Sequence, residues 1–129
     1  MENKTVISAE AAEKELSGIE EIFDVTLDPD SREKVLKVIM AGRLVFNEGA
    51  ESFRYILRKR LELLNGDSIQ ELALRQPVVS ELMAASQKKG DFSQAISLIS
   101  AVTGQPFGII ERLGQKDFLI CSALLSFFG

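Results

Sequence analysis

Between Leu61 and Leu82 the chain changes its hydrophobic period, from the two-residue alternation of a strand to the three-to-four spacing of helices. In this stretch, LELLNGDSIQELALRQPVVSEL, Leu61 and Leu63 alternate with polar neighbours and Asn65-Gly66-Asp67 supplies residues that tolerate a left-handed turn. Ile69, Leu72 and Leu74 then resume an apolar pattern, which stops at Pro77, a residue without the N–H that a strand ladder needs but suited to the first turn of a helix. Phe53, Tyr55 and Leu57 share the parity of Leu61 and Leu63, so the expected hairpin covers 53–74. A helix over 50–63 would also gather Phe53, Ile56, Leu57, Arg60 and Leu61 on one face, and for residues 53–64 strand and helix both stand.

The other elements read as helices. Ser8 can cap a short helix over 9–16, rich in Glu and Ala, ending near Ser17-Gly18. Asp28-Pro29-Asp30-Ser31 places a capping side chain, then proline at the first helical position, then an acid in the first turn. Val35, Leu36, Val38, Ile39, Ala41, Leu44 and Val45 follow at helical spacing, which predicts an amphipathic helix to about Phe46, closed by Asn47-Glu48-Gly49. Pro77 opens a helix through Val79, Leu82, Met83 and Ser86, and Asp91 caps the next, whose stripe is Ala95, Ile96, Leu98, Ile99 and Val102. Pro106 begins a short helix over Phe107 to Leu113, closed by Gly114, and a last helix starts near Lys116. The expected fold is mainly α: five to six helices with one β-hairpin near the middle. At 129 residues the chain is expected to form one domain, an acidic, mobile N-terminal segment over 1–27 followed by a compact helical part over 28–129 that carries the hairpin.

Catalytic chemistry finds little to work with. The chain has no histidine, which removes a conventional serine or cysteine triad. Its one cysteine, Cys121, lies among Leu and Phe and reads as a packing residue; it excludes a disulfide framework and a cysteine-based zinc site. Glu81, Glu111 and Asp117 are isolated and read as solvated, and Glu20-Glu21 point to different faces of a helix, so no paired-carboxylate or metal-ligand spacing stands out. No catalytic residue, cofactor or metal is called for. The N-terminal stretch lacks the basic flank and apolar run of a signal peptide, and the cytoplasm is the expected compartment.

Charge is unevenly placed. The net charge is -4, yet residues 1–33 carry Glu2, Glu10, Glu13, Glu15, Glu20, Glu21, Asp24, Asp28, Asp30 and Glu33 against only Lys4, Lys14 and Arg32. Arg58-Lys59-Arg60, with Arg54, is the one dense basic cluster, and Tyr55 beside it invites a nucleic-acid reading. The acidic balance of the chain argues against that; three charges on a strand serve as a solvated edge that discourages strand-to-strand aggregation, or face an acidic neighbour.

The last run, Phe118 to Phe128, is apolar almost all round. A membrane-spanning helix needs about twenty apolar residues, so this stretch is too short to be one. It reads as the central helix of a small bundle, with a face left over for docking on another chain.

The ordered set of segments resembles the tail assembly chaperones of long-tailed bacteriophages, the lambdoid kind with non-contractile tails. The resemblance spans about Leu61 to Phe128 and is carried by Glu71-Leu72-Ala73-Leu74-Arg75-Gln76-Pro77, then Glu81-Leu82-Met83, then Ala95-Ile96-Ser97-Leu98-Ile99-Ser100-Ala101-Val102-Thr103-Gly104-Gln105-Pro106, then Ile110-Glu111-Arg112-Leu113-Gly114-Gln115-Lys116-Asp117-Phe118. Val78-Val79 stands where that family often has a threonine, which removes the usual side-chain cap of the helix.

The resemblance implies a non-enzymatic assembly factor of the host cell cytoplasm, absent from the finished virion. Such a protein self-associates, coats the tape measure protein to keep it soluble and supports polymerisation of the tail tube. It also implies a longer form, made by ribosomal frameshifting, that recruits the tail tube protein; neither nucleic acid nor membrane is an expected partner. The residues expected to bind the partner are Met83, Phe118, Leu124, Phe127 and Phe128. Those expected to pair between copies are Glu20 and Glu21 of the acidic segment with Arg54, Arg58, Lys59 and Arg60. The competing class is a small helical regulatory or adaptor domain, repressor-like or antitoxin-like. A basic recognition helix would favour the repressor, and no helix here carries one.

Overall fold

The computed structural model describes residues 7–128. Along the chain lie α1 (Ala9–Phe23), α2 (Pro29–Met40), β1 (Leu44–Asn47), β2 (Ser52–Glu62), β3 (Ser68–Leu74), α3 (Val79–Ser86), α4 (Asp91–Thr103), α5 (Phe107–Ile110) and α6 (Gln115–Leu125), with a closing 3-10 turn, Ser126–Phe128. The fold is helix-rich, as expected, but the sheet is three-stranded and antiparallel in the order β1-β2-β3, so the molecule is mixed α/β and not a bundle with a single hairpin.

The missed strand follows from one backbone position. Leu44 and Val45 continue the helical spacing of α2, yet α2 stops at Met40 and Gly42 takes φ 73, a left-handed conformation that a residue with a Cβ adopts only at a cost. The chain turns there, and Leu44 and Phe46 pair with Tyr55 and Phe53 instead of extending the helix. Over the disputed stretch the strand prevails: β2 buries Phe53, Tyr55, Leu57 and Leu61 and exposes the residues between them.

Helix α1 keeps its Ser8 cap, whose hydroxyl accepts the Ala11 N–H at 3.1 Å, but runs past Ser17-Gly18 to Phe23 because Leu16 and Ile19 remain in core register. Asp28 caps α2 by accepting from Ser31 N–H, and hydrogen bonding from Ser31, its side chain first and then its backbone, holds the Asp28 carboxyl below the usual range. Arg32 ties the two helices together: its guanidinium donates to Glu13 at 2.8 Å, to Glu20 at 3.3 Å and to Ser17 Oγ at 3.1 Å. Part of the acidic segment is therefore neutralised from within.

One face of the sheet meets the helices in a core that includes Leu16, Val35, Tyr55, Leu72, Ile99, Ile110 and Leu124. At one end of this core five phenylalanines, Phe23, Phe46, Phe53, Phe127 and Phe128, pack with centroid separations of 5.1 to 6.0 Å, joining α1, β1, β2 and the closing turn.

Candidate functional site

Two surface features stand out from the packed core, and each is fixed by an acid that the sequence reading left as solvated. The first is the α3–α4 hairpin. Helix α3 buries only Ala85, while Val78, Val79, Leu82 and Met83 face outward, Val79 and Met83 being 69% and 60% exposed. Phe92, at the start of α4, is 73% exposed and packs on Phe118 of α6 with centroids 5.6 Å apart. Beside this pair opens a shallow cleft of about 240 Å³ lined in part by Ile96, Ile110 and Leu113. So many apolar side chains left outside a small domain mark a surface for contact rather than for solvent.

What presents this face is Glu81. Val78 starts α3 without a side-chain cap, and Glu81 supplies the missing acceptor by taking the Val78 N–H at 3.0 Å. The same carboxylate receives a two-pronged bond from Arg75 at 2.7 and 3.0 Å, and Arg75 also donates to the Ala101 carbonyl at the end of α4. The charge-assisted bond from Arg75, followed by the Val78 N–H, lowers the Glu81 pKa to about 2. Leu74-Arg75-Gln76-Pro77 is thus a clamp between β3, α3 and α4.

The second feature is a bulge in β2. Ile56 pairs with Glu71 and Leu61 with Ile69, so Leu57, Arg58, Lys59 and Arg60 lie opposite Gln70 alone. Asp117, in the first turn of α6 and 1% exposed, takes over the bonding that the ladder drops. Its carboxylate accepts from the Tyr55 hydroxyl at 2.6 Å, Arg58 N–H at 2.9 Å and Lys59 N–H at 3.1 Å. Arg43 donates to the Leu57 carbonyl on the same bulge at 3.0 Å. Burial, then the bond to Asp117, pushes the Tyr55 hydroxyl pKa well up, so it stays a donor. With the backbone pinned, the side chains of Arg58, Lys59 and Arg60 project outward.

The residues expected to bind a partner divide accordingly. Met83 is exposed and Phe118 is half-buried against Phe92. Leu124 and Phe127 are core residues, 0% and 1% exposed, and Phe128 is drawn into the phenylalanine cluster; the apolar run at this end of the chain is consumed by packing. Val78, Val79, Leu82 and Phe92 form the larger apolar exposure. Among the residues expected to pair between copies, Arg54 is bonded to Glu71, Arg60 to Glu62 and Glu20 to Arg32 within the chain. Arg58, Lys59 and Glu21 make no ion pair among the described residues.

Cys121 is fully buried, and burial raises its thiol pKa to about 12. Among the described residues no three His, Cys, Asp or Glu side chains converge as a metal site, and no helix is long and apolar enough to cross a membrane. What the geometry offers is an outward apolar face and a fixed basic bulge, the equipment of a protein that acts through contact with other polypeptides.

The family comparison agrees. The family model described as "Phage tail assembly chaperone proteins, E, or 41 or 14" matches residues 59–129, more than half of the chain, and the chain belongs to that family. The match takes in the end of the bulge, the Arg75–Glu81 clamp, the α3–α4 face and Asp117. By family the protein is a phage tail assembly chaperone, which suggests a non-enzymatic role and implies phage tail-related proteins as partners. No curated protein matches the chain, and no solved structure does.

Proposed function

We propose that the protein binds the phage tape measure protein, keeps that long helical polypeptide soluble, and supports polymerisation of the tail tube around it. The carrying observation is the outward apolar face of the α3–α4 hairpin, Val78, Val79, Leu82, Met83 and Phe92, which lies within the family-matched region. An amphipathic helix laid along such a face buries its own apolar stripe, and flexible Met83 adapts to whichever side chain arrives. Phe118 extends the face through its contact with Phe92.

Copies of the chain self-associate, with Glu21 and its acidic neighbours on one copy facing Arg58 and Lys59 on the next. The protein works as one domain over 1–129 in the host cytoplasm and leaves before the virion is complete, and a frameshifted longer form brings in the tail tube protein.

Co-expression with the tape measure protein tests the reading. The unaltered chain keeps the tape measure protein in the soluble fraction, and Leu82→Glu with Met83→Glu returns it to the pellet; equal solubility with the double variant would overturn the assignment of the face. Self-association is read by sedimentation: assembly weakens with rising salt and with Arg58, Lys59 and Arg60 changed to Glu, and indifference to both sinks the charge pairing.

A further inference from the structure

Four cations meet over an apolar floor where α2, the β2 bulge and the start of α6 come together. Lys34 and Lys37 from α2, Arg58 from the bulge and Lys116 from α6 surround a cavity of about 360 Å³ whose base is Val38, Leu119 and Ile120. Lys37 has an exposed partner in Glu33 at 3.4 Å, whereas Lys34, Arg58 and Lys116 make no ion pair among the described residues. The three cations without an ion pair repel one another, and the chain as a whole is acidic, at -4. Composition therefore does not account for the cluster.

The arrangement is also held in advance. Asp117 accepts the backbone N–H of Arg58, and Lys116 is its immediate neighbour, so one buried carboxylate fixes the backbone from which two of the four cations extend. A receptor whose groups are already placed loses less freedom on binding.

We propose that this pocket docks an acidic segment of a partner polypeptide, seating one apolar side chain on Val38, Leu119 and Ile120 while flanking carboxylates pair with Lys34, Arg58 and Lys116. The floor argues for a peptide over a nucleic acid. No aromatic ring lines the pocket for base stacking, and an apolar base gives nothing to a phosphate. Leu119 is an exposed apolar residue of α6, which a seated side chain would cover. The site is separate from the α3–α4 face and does not depend on the reading of that face; it shares Arg58 with the charge pairing proposed between copies, and Lys34 and Lys116, which that pairing does not use, tell the two apart.

The test uses the full chain and fluorescence anisotropy with a short labelled peptide of Glu and Leu. Its counterparts have Glu changed to Gln or Leu changed to Ser, and a single-stranded oligodeoxynucleotide provides the polyanion arm. The Glu and Leu peptide binds, and each counterpart binds about tenfold more weakly or worse. Lys34→Glu and Lys116→Glu weaken the peptide to the same degree with an unchanged thermal midpoint, while Met83→Glu leaves it unchanged. Arg58→Glu adds to the series if it folds; the two lysine variants carry the test without it. Binding that ignores the lysine variants, a Leu-to-Ser peptide that binds as well, or an oligonucleotide that binds as tightly would each overturn the proposal.

Discussion

The Tyr55 hydroxyl donates to the Asp117 carboxylate at 2.6 Å, joining the middle of the sheet to the first turn of α6 across a separation of 62 residues. The bond is buried, and the same carboxylate holds two backbone N–H groups of the bulge. Tyr55→Phe removes one of three donors and should cost about 1.5 kcal/mol. Asp117→Ala strands all three and should cost about 3 kcal/mol, both read from urea unfolding midpoints at unchanged slope.

The Arg75–Glu81 clamp gives stability a dependence on acid. Glu81 titrates at about 2 in the folded chain against an ordinary 4.5, so its contribution is complete above 4.5 and is lost as pH falls through about 2. The pair is largely solvent-exposed, which limits the effect to about 1 kcal/mol. The stability difference between the unaltered chain and Glu81→Gln should close between pH 4.5 and 2, in acid-range urea titrations.

Cys121 should not react with a thiol reagent while the chain is folded. Its thiol is buried and its pKa stands at about 12, so the thiolate is scarce at neutral pH and out of reach. Labelling followed by mass spectrometry should proceed at the rate of unfolding and become rapid in denaturant.

Surface and core should separate cleanly in mutational cost. Leu124→Ala empties a site of 0% exposure and should cost about 3 kcal/mol. Val79→Lys and Met83→Lys change residues that stand in solvent and should shift stability by less than about 0.5 kcal/mol, measured by thermal unfolding.

How much of this was legible in the sequence depended on whether the cause was local. The Asp28-Pro29 start of α2, the Ser8 cap, the strand parity of Phe53, Tyr55 and Leu57 and the opening of α3 after Pro77 are all decided within a few residues, and all are present. β1 was hidden because Leu44 and Val45 fit a helix as well as a strand, and only the φ of Gly42 decides between them. Asp117 and Glu81 read as solvated because the partners that give them work, Tyr55 and the bulge for one and Arg75 for the other, are chosen by tertiary structure. The apolar run Phe118 to Phe128 reads as a central helix with a face left over for docking, and the core and the five-ring cluster take up Leu124, Phe127 and Phe128. The exposed apolar residues lie instead on α3, where they are too few and too dispersed in sequence to signal exposure.

Helix α3 is held by its packing on α4 and by the clamp at its first turn, with one residue buried. With so little of it buried, α3 is expected to open locally at a lower free energy than β2, which buries Phe53, Tyr55, Leu57 and Leu61. Helix α4 is anchored in the core by Ile99 and Val102, so α3 alone is the element expected to open first, while α4, the sheet and the phenylalanine cluster stay closed; native-state hydrogen exchange checks that order.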